Sequence, residues 1–182
     1  MPRTFRLMFL VFLVVAAAVI VLPVGTPSAQ QSASRLHLPK NKIPEDAKVI
    51  LEHAEQFELL SLRHFHPPAG SSRDWRPPVG SDFYHYEILG RTDIRNAKTR
   101  ENLVSAFEKG VAENKGDAAM CFNPRHGIHV SGHGKEVDFV ICFECLQVQI
   151  HGDVHGGFLV SSSPQPIFDK VLLDAGITLA DK

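Results

Sequence analysis

Only 3 cysteines and 1 tryptophan occur among the 182 residues, and neither sign of charge dominates, since 19 Lys and Arg stand against 20 Asp and Glu. With a formal net charge of −1 and no basic stripe, the chain lacks the electrostatic footprint of a nucleic-acid-binding protein, so no nucleic acid partner is expected. GxGxxG, P-loop, GxSxG and HExxH spacings are all missing. That removes the dinucleotide, nucleoside triphosphate, α/β-hydrolase and zincin readings that depend on them. No internal repeat is found, and no apolar run reaches the roughly 20 residues that span a bilayer comfortably. What is there, 44% hydrophobic and 21% charged residues, suits one globular domain.

The first residues stand apart from the rest. Arg3 and Arg6 precede an unbroken apolar run from Leu7 to Leu22, followed by Pro23, Gly25, Pro27 and the small residues Ser28 and Ala29. A charged start, a short apolar stretch and a small-residue exit make the layout of a secretory signal peptide, here residues 1–29. The expected product is periplasmic or secreted, without a stable membrane span; an uncleaved N-terminal membrane anchor is the alternative. Loss of Arg3 and Arg6 with the leader takes the formal charge from −1 to −3. Export would expose the cysteines to oxidising conditions, and an odd number of them leaves one unpaired unless it binds something.

Residues 30–42 are polar and aperiodic and read as a flexible tether to a single domain over 43–182. Pro44, Glu45 and Asp46 open a helix whose buried stripe is Ala47, Ile50, Leu51 and Ala54, because proline suits the first helical position and acids suit the N-terminal end of the dipole. A strand over 57–62 follows. The stretch 64–82, rich in proline and glycine, predicts a long loop carrying Trp75, either as a ligand-binding loop or as a side chain that pins the loop to the domain. Then come a strand over 83–94, a helix from Asn96 or Ala97 to Asn114, strands over about 118–130, 136–151 and 156–162, and a helix begun by Ser163 and Pro164 and closed by Gly176. The order lacks repeated βαβ units, so the expected class is α+β, two-layer, with a mainly antiparallel sheet of about five strands and helices on one face.

All three cysteines lie in "CFNPRHGIHVSGHGKEVDFVICFEC", residues 121–145. "SGHGK" is its only turn signal, and centring a hairpin near His133 makes facing residue numbers sum to about 266, which sets Cys121 opposite Cys145. Facing Cα atoms are about 4.5–5.5 Å apart, inside the range a disulfide accepts, so a Cys121–Cys145 bridge with Cys142 left as a buried free thiol is one expectation. The apolar pattern switches from odd positions (Val137, Phe139, Ile141, Phe143) to even ones (Leu146, Val148, Ile150), which predicts irregular residues in "NPRHG" and in "FEC". Such breaks would let Cys121, His126, Cys142 and Cys145 gather as a Cys3His zinc site spaced C-x4-H-x15-C-x2-C. His129, His133, His151 and His155 are spare ligand candidates. Merely buried thiols remain open, as does catalysis by a cysteine with His126 as base and Arg125 holding an anionic ligand. Arg125 is otherwise expected to pair with Glu144 or Asp138.

The segment "CFNPRHGI…VDFVICFEC", with "FELLSL" and "YEILGRT" before it and "PIFDKVLLDAGI" after it, resembles a family of uncharacterised exported bacterial proteins. The resemblance implies a bacterial exported context and transfers no catalytic residue. The expected function is therefore a non-enzymatic exported domain with a structural disulfide or a metal-binding Cys/His cluster, and the Trp75 loop is a candidate cover for a ligand. The alternative is a small thiol-dependent hydrolase or oxidoreductase.

Overall fold

The computed structural model describes residues 41–66, 69–72 and 75–181. The signal and most of the tether expected from the sequence fall outside them. Among the described residues no helix is long and apolar enough to cross a membrane. The elements are α1 (Glu45–Glu52), β1 (Gln56–His64), β2 (Asp82–Phe83), β3 (Tyr86–Asp93), α2 (Ala97–Glu113), β4 (His126–Gly132), β5 (Lys135–Cys142), β6 (Gln147–Gly152), β7 (Gly156–Leu159) and α3 (Gln165–Asp174). The strands form a 7-stranded sheet in the order β2-β3-β1-β4-β5-β6-β7, every pairing antiparallel.

The expected class, α+β with an antiparallel sheet and helices on one face, is what forms, but with more strands than expected. Two segments read as single strands each double back. Within 83–94 the chain reverses at Tyr84 and His85, both at positive φ (52° and 73°), so that Phe83 pairs with Tyr86. Within 136–151 it reverses at the turn 143–146, where Leu146 has φ 60°, and Cys142 then pairs with Gln147. The odd-to-even switch in the apolar pattern is therefore a hairpin rather than a bulge. Residues 118–125, expected as the first half of a strand, lie outside the ladder, since Pro124 has no N–H to give and β4 begins only at His126.

One sheet face holds the main core. Phe57 and Leu59 of β1, Ile128 and Val130 of β4, Val137, Phe139 and Ile141 of β5, and Phe158 of β7 meet Ile50 and Leu51 of α1, Phe107 of α2 and Phe168 of α3. Phe107 is the hub, with ring centroids 5.8 Å from Phe139, 5.7 Å from Phe158 and 6.0 Å from Phe168. Gly110 is required where α2 meets the start of α3, because a Cβ there would stand 2.4 Å from Cγ of Pro164. Asn96 caps α2, its side chain accepting from the Thr99 N–H at 2.9 Å.

Among the described residues no helix contributes to the cluster on the opposite face. There Leu60, Leu62 and Val140 are covered by the partly buried Phe83, Tyr84, Tyr86, Ile88 and Phe122. A short edge hairpin thus takes the place of a helix layer, and it presents aromatic side chains to solvent.

Candidate functional site

The helix-free face carries a transverse line of ionisable residues set by register. Asp93 faces Glu58, Glu58 faces His129, His129 faces Asp138, and Asp138 faces His151. Directly opposed residues of an antiparallel pair point to the same face, so five neighbouring strands bring these five side chains side by side. Asp138 is the centre. It is 8% exposed, and its carboxylate accepts from the His129 Nδ1–H at 2.7 Å and from the Tyr84 O–H at 2.5 Å.

Because an ionised carboxylate only accepts, the proton between Asp138 and His129 belongs to Nδ1. That leaves the Nε2 edge of His129 available to a ligand, with Glu58 and Glu136 as its other acidic neighbours. The bond to Asp138, followed by its negative charge, raises the His129 pKa above the ordinary 6.5 and outweighs burial. Burial raises the Tyr84 phenol above its ordinary 10, and the bond to Asp138 adds to it, so Tyr84 stays a donor. The Tyr84 ring stacks on His151 at 3.9 Å and 13°. Burial, then the nearby His155, lowers the His151 pKa below 6.5, and its Nε2 is buried with no hydrogen-bond partner among the described residues.

Two local features hold Tyr84 there. Its turn adopts left-handed backbone at a Tyr-His pair, where Asn-Gly is the sequence that fits without strain. Gly127 lets the hairpin lie flat, since a Cβ at that position would be 2.9 Å from Cε1 of Phe83.

One of the three cysteines, Cys142, lies on the same strand as Asp138. Cys142, at the end of β5, forms a disulfide with Cys145 in the turn 143–146, with Cα atoms 5.1 Å apart. This corrects the expected Cys121–Cys145 bridge: the turn curls Cys145 back over Cys142, while Cys121 sits outside the ladder that was to hold it opposite. The unpaired thiol is also not the buried Cys142 but the exposed Cys121. Its Sγ remains close, 3.9 Å from Sγ of Cys145.

The zinc arrangement does not assemble. His126 faces the helices, 2% exposed, with Nε2 2.7 Å from Oδ1 of Asp169 and its ring against Phe143 and Phe168. Cys142 points to the opposite face with Val140, and its sulfur is in the disulfide. No group of three or more His, Cys, Asp and Glu able to hold a metal ion occurs among the described residues. The same orientation commits His126 to Asp169 rather than to Cys142.

Arg125 makes the expected ion pair with Glu144, Nη1 to Oε1 at 2.7 Å, and is only 13% exposed. Trp75 packs edge-on against Phe65 at 5.6 Å and donates its backbone N–H to Ser72 O, which ties the loop back onto the end of β1. Neither residue touches the Asp138 line. That line was reachable from the sequence only through His129 and His151, which were spare metal candidates, and its centre, Asp138, was seen only as an ion-pair partner. No protein-family model, curated protein sequence or solved structure matches the chain.

Proposed function

We propose that this is an exported, non-enzymatic α+β domain, stapled by its disulfide, that binds a small ligand on the helix-free face of the sheet at Tyr84, His129, Asp138 and His151. Export rests on Arg3, Arg6 and the apolar run that follows them. The observation that carries the binding reading is the Asp138 carboxylate, held between Tyr84 and His129 beneath a turn in a costly backbone conformation. Strained non-glycine turns cost about 1–3 kcal/mol and cluster where a side chain must be held for a ligand.

The ligand class follows from the surroundings. Phe83, Tyr86, Ile88 and Phe122 offer apolar contact, while Glu58, Asp93 and Asp138 keep the polar part acidic by one charge against Arg91 and Arg95. An aromatic or apolar body carrying an amine or hydroxyl fits better than an anion. Titrating the protein with small aromatic amines, alcohols and carboxylic acids while recording the histidine ring resonances tests this. Amines or alcohols should move His129 and His151 together, and the effect should vanish in Tyr84→Phe; a panel that leaves both rings unmoved refutes the reading.

A second, enzymatic reading is favoured by one feature. A carboxylate holding Nδ1–H leaves Nε2 to take or give a proton, the arrangement of a general base positioned by its neighbour. It requires turnover of a neutral substrate that follows the His129 ionisation and is abolished by His129→Ala. Binding without turnover leaves the first reading in place.

A further inference from the structure

The third sulfur of the cysteine cluster has a reaction open to it. Sγ of Cys121 lies 3.9 Å from Sγ of Cys145. Cys121 is exposed, whereas Cys142 and Cys145 are each 1% exposed, so a molecule in solution meets only Cys121. The backbone groups of Asn123 are arranged around both bonded sulfurs: its N–H donates to Sγ of Cys145 at 3.2 Å, and its carbonyl oxygen is 3.2 Å from Sγ of Cys142. The Cys145 N–H donates to Sγ of Cys142 at 3.0 Å.

We propose that Cys121 is an exchange thiol for the Cys142–Cys145 bond, giving the chain two interconverting disulfide isomers and one point at which outside thiols and disulfides react. The Cys121 thiolate attacks Sγ of Cys145. The Cys121–Cys145 bond forms, the Cys142–Cys145 bond breaks, and the electron pair leaves on Sγ of Cys142. The Cys145 N–H stabilises that thiolate as it forms. Once Cys142 has taken up the proton that Cys121 gave to solvent, its S–H donates to the Asn123 carbonyl. Nothing is oxidised or reduced overall.

The same geometry gives a two-electron reaction with a small-molecule disulfide. In the reduced protein the Cys121 thiolate attacks the outside disulfide, forms a mixed disulfide and releases one thiol. Cys145 then attacks Sγ of Cys121 and releases the second, and exchange passes the bond inward to Cys142. Two protein thiols are oxidised and one outside disulfide is reduced to two thiols. The substrate class is a low-molecular-weight thiol or disulfide, and glutathione is the probe.

The test incubates the full chain in a glutathione redox buffer, quenches with acid, alkylates and maps the bonds by mass spectrometry. Cys142→Ser should collect as the Cys121–Cys145 disulfide, and Cys121→Ser should hold only Cys142–Cys145 and react with reduced glutathione at least roughly tenfold more slowly than the native chain. Both Cys121 and Cys145 alkylatable in a folded Cys142→Ser protein overturns the proposal. So does wild-type exchange in Cys121→Ser, which alters an exposed side chain and decides the matter even if Cys142→Ser does not fold.

Discussion

Replacing Asp138 by Asn changes no volume and removes one charge from the centre of the ionisable line, so its cost can be worked from the hydrogen bonds alone. The carboxylate accepts from Tyr84 and from His129 at 2.5 and 2.7 Å and is 8% exposed. Bonds to a charged group contribute about 1.5–3 kcal/mol each against about 1 for neutral ones. Asparagine keeps one acceptor. Its NH₂ can be met only if the Tyr84 hydroxyl turns to accept, or if His129 moves its proton to Nε2 and accepts at Nδ1. Both bonds then survive as neutral ones, and the loss is about 1–4 kcal/mol, the difference between two charged and two neutral bonds. For a domain of this size each kcal/mol lowers Tm by about 2–6 °C.

The decisive readout is not Tm, which any buried substitution moves, but the His129 ring. Its raised pKa comes first from the bond to Asp138 and next from that charge, with burial opposing both. In Asp138→Asn only burial and the more distant Glu58 and Glu136 remain, so His129 should titrate at lower pH than in the native chain. A pH series of histidine ring spectra reads it directly. His129 titrating unchanged in a folded Asp138→Asn protein refutes the geometry on which the site rests.

His129, raised, contributes stability that is full below its unfolded pKa near 6.5 and is lost as pH rises through the folded value; His151, lowered, works oppositely and costs stability as pH falls below about 6.5. His151→Phe, which keeps a ring against Tyr84, should therefore lose less stability than the native chain between pH 7 and pH 5, as measured by urea midpoints. His85→Gly relieves the exposed left-handed position at φ 73° and should raise stability by up to about 1 kcal/mol, with a lower urea midpoint as the contrary result. Reducing the Cys142–Cys145 bond, which closes a loop of sequence separation 3, should cost only about 2 kcal/mol on the chain-entropy account, so the reduced protein should still melt cooperatively.

How much of this was legible in the sequence depended on one residue of register. The hairpin over "SGHGK" was expected with facing numbers near 266, and the ladder pairs Gly132 with Lys135 and His126 with Ile141, a sum of 267. At 266 His129 faces Val137 and nothing joins it to Asp138; at 267 it faces Asp138 and the line appears. The helices were readable because their stripes repeat at 3.6 residues over many turns, as in Leu103, Phe107 and Val111. The extra hairpins were not, because Tyr84-His85 and Glu144-Cys145 carry no Gly, Asn or Pro to announce a reversal. What puts them into turns is tertiary: Tyr84 gains Asp138 and His151, and Cys145 gains Cys142.

β5 presents Asp138, Val140 and Cys142 on one face, so a single strand joins the centre of the ligand site to one sulfur of the disulfide. At about 3.3 Å per residue, Asp138 and Cys142 are about 13 Å apart, with Val140 between them. Effects at sites more than about 7–10 Å apart without shared partners add to within about 0.5 kcal/mol. The partners are indeed separate: Tyr84, His129 and His151 on one side, Cys145 and Asn123 on the other. Asp138→Asn combined with Cys121→Ser should accordingly give the sum of the single stability changes, and His129 should titrate in Cys121→Ser as it does in the native chain. A coupling energy well above 0.5 kcal/mol would mean that β5 shifts as a unit when its disulfide changes partner. The sheet would then transmit the state of the sulfurs to the ligand face, and the two sites would have to be treated as one.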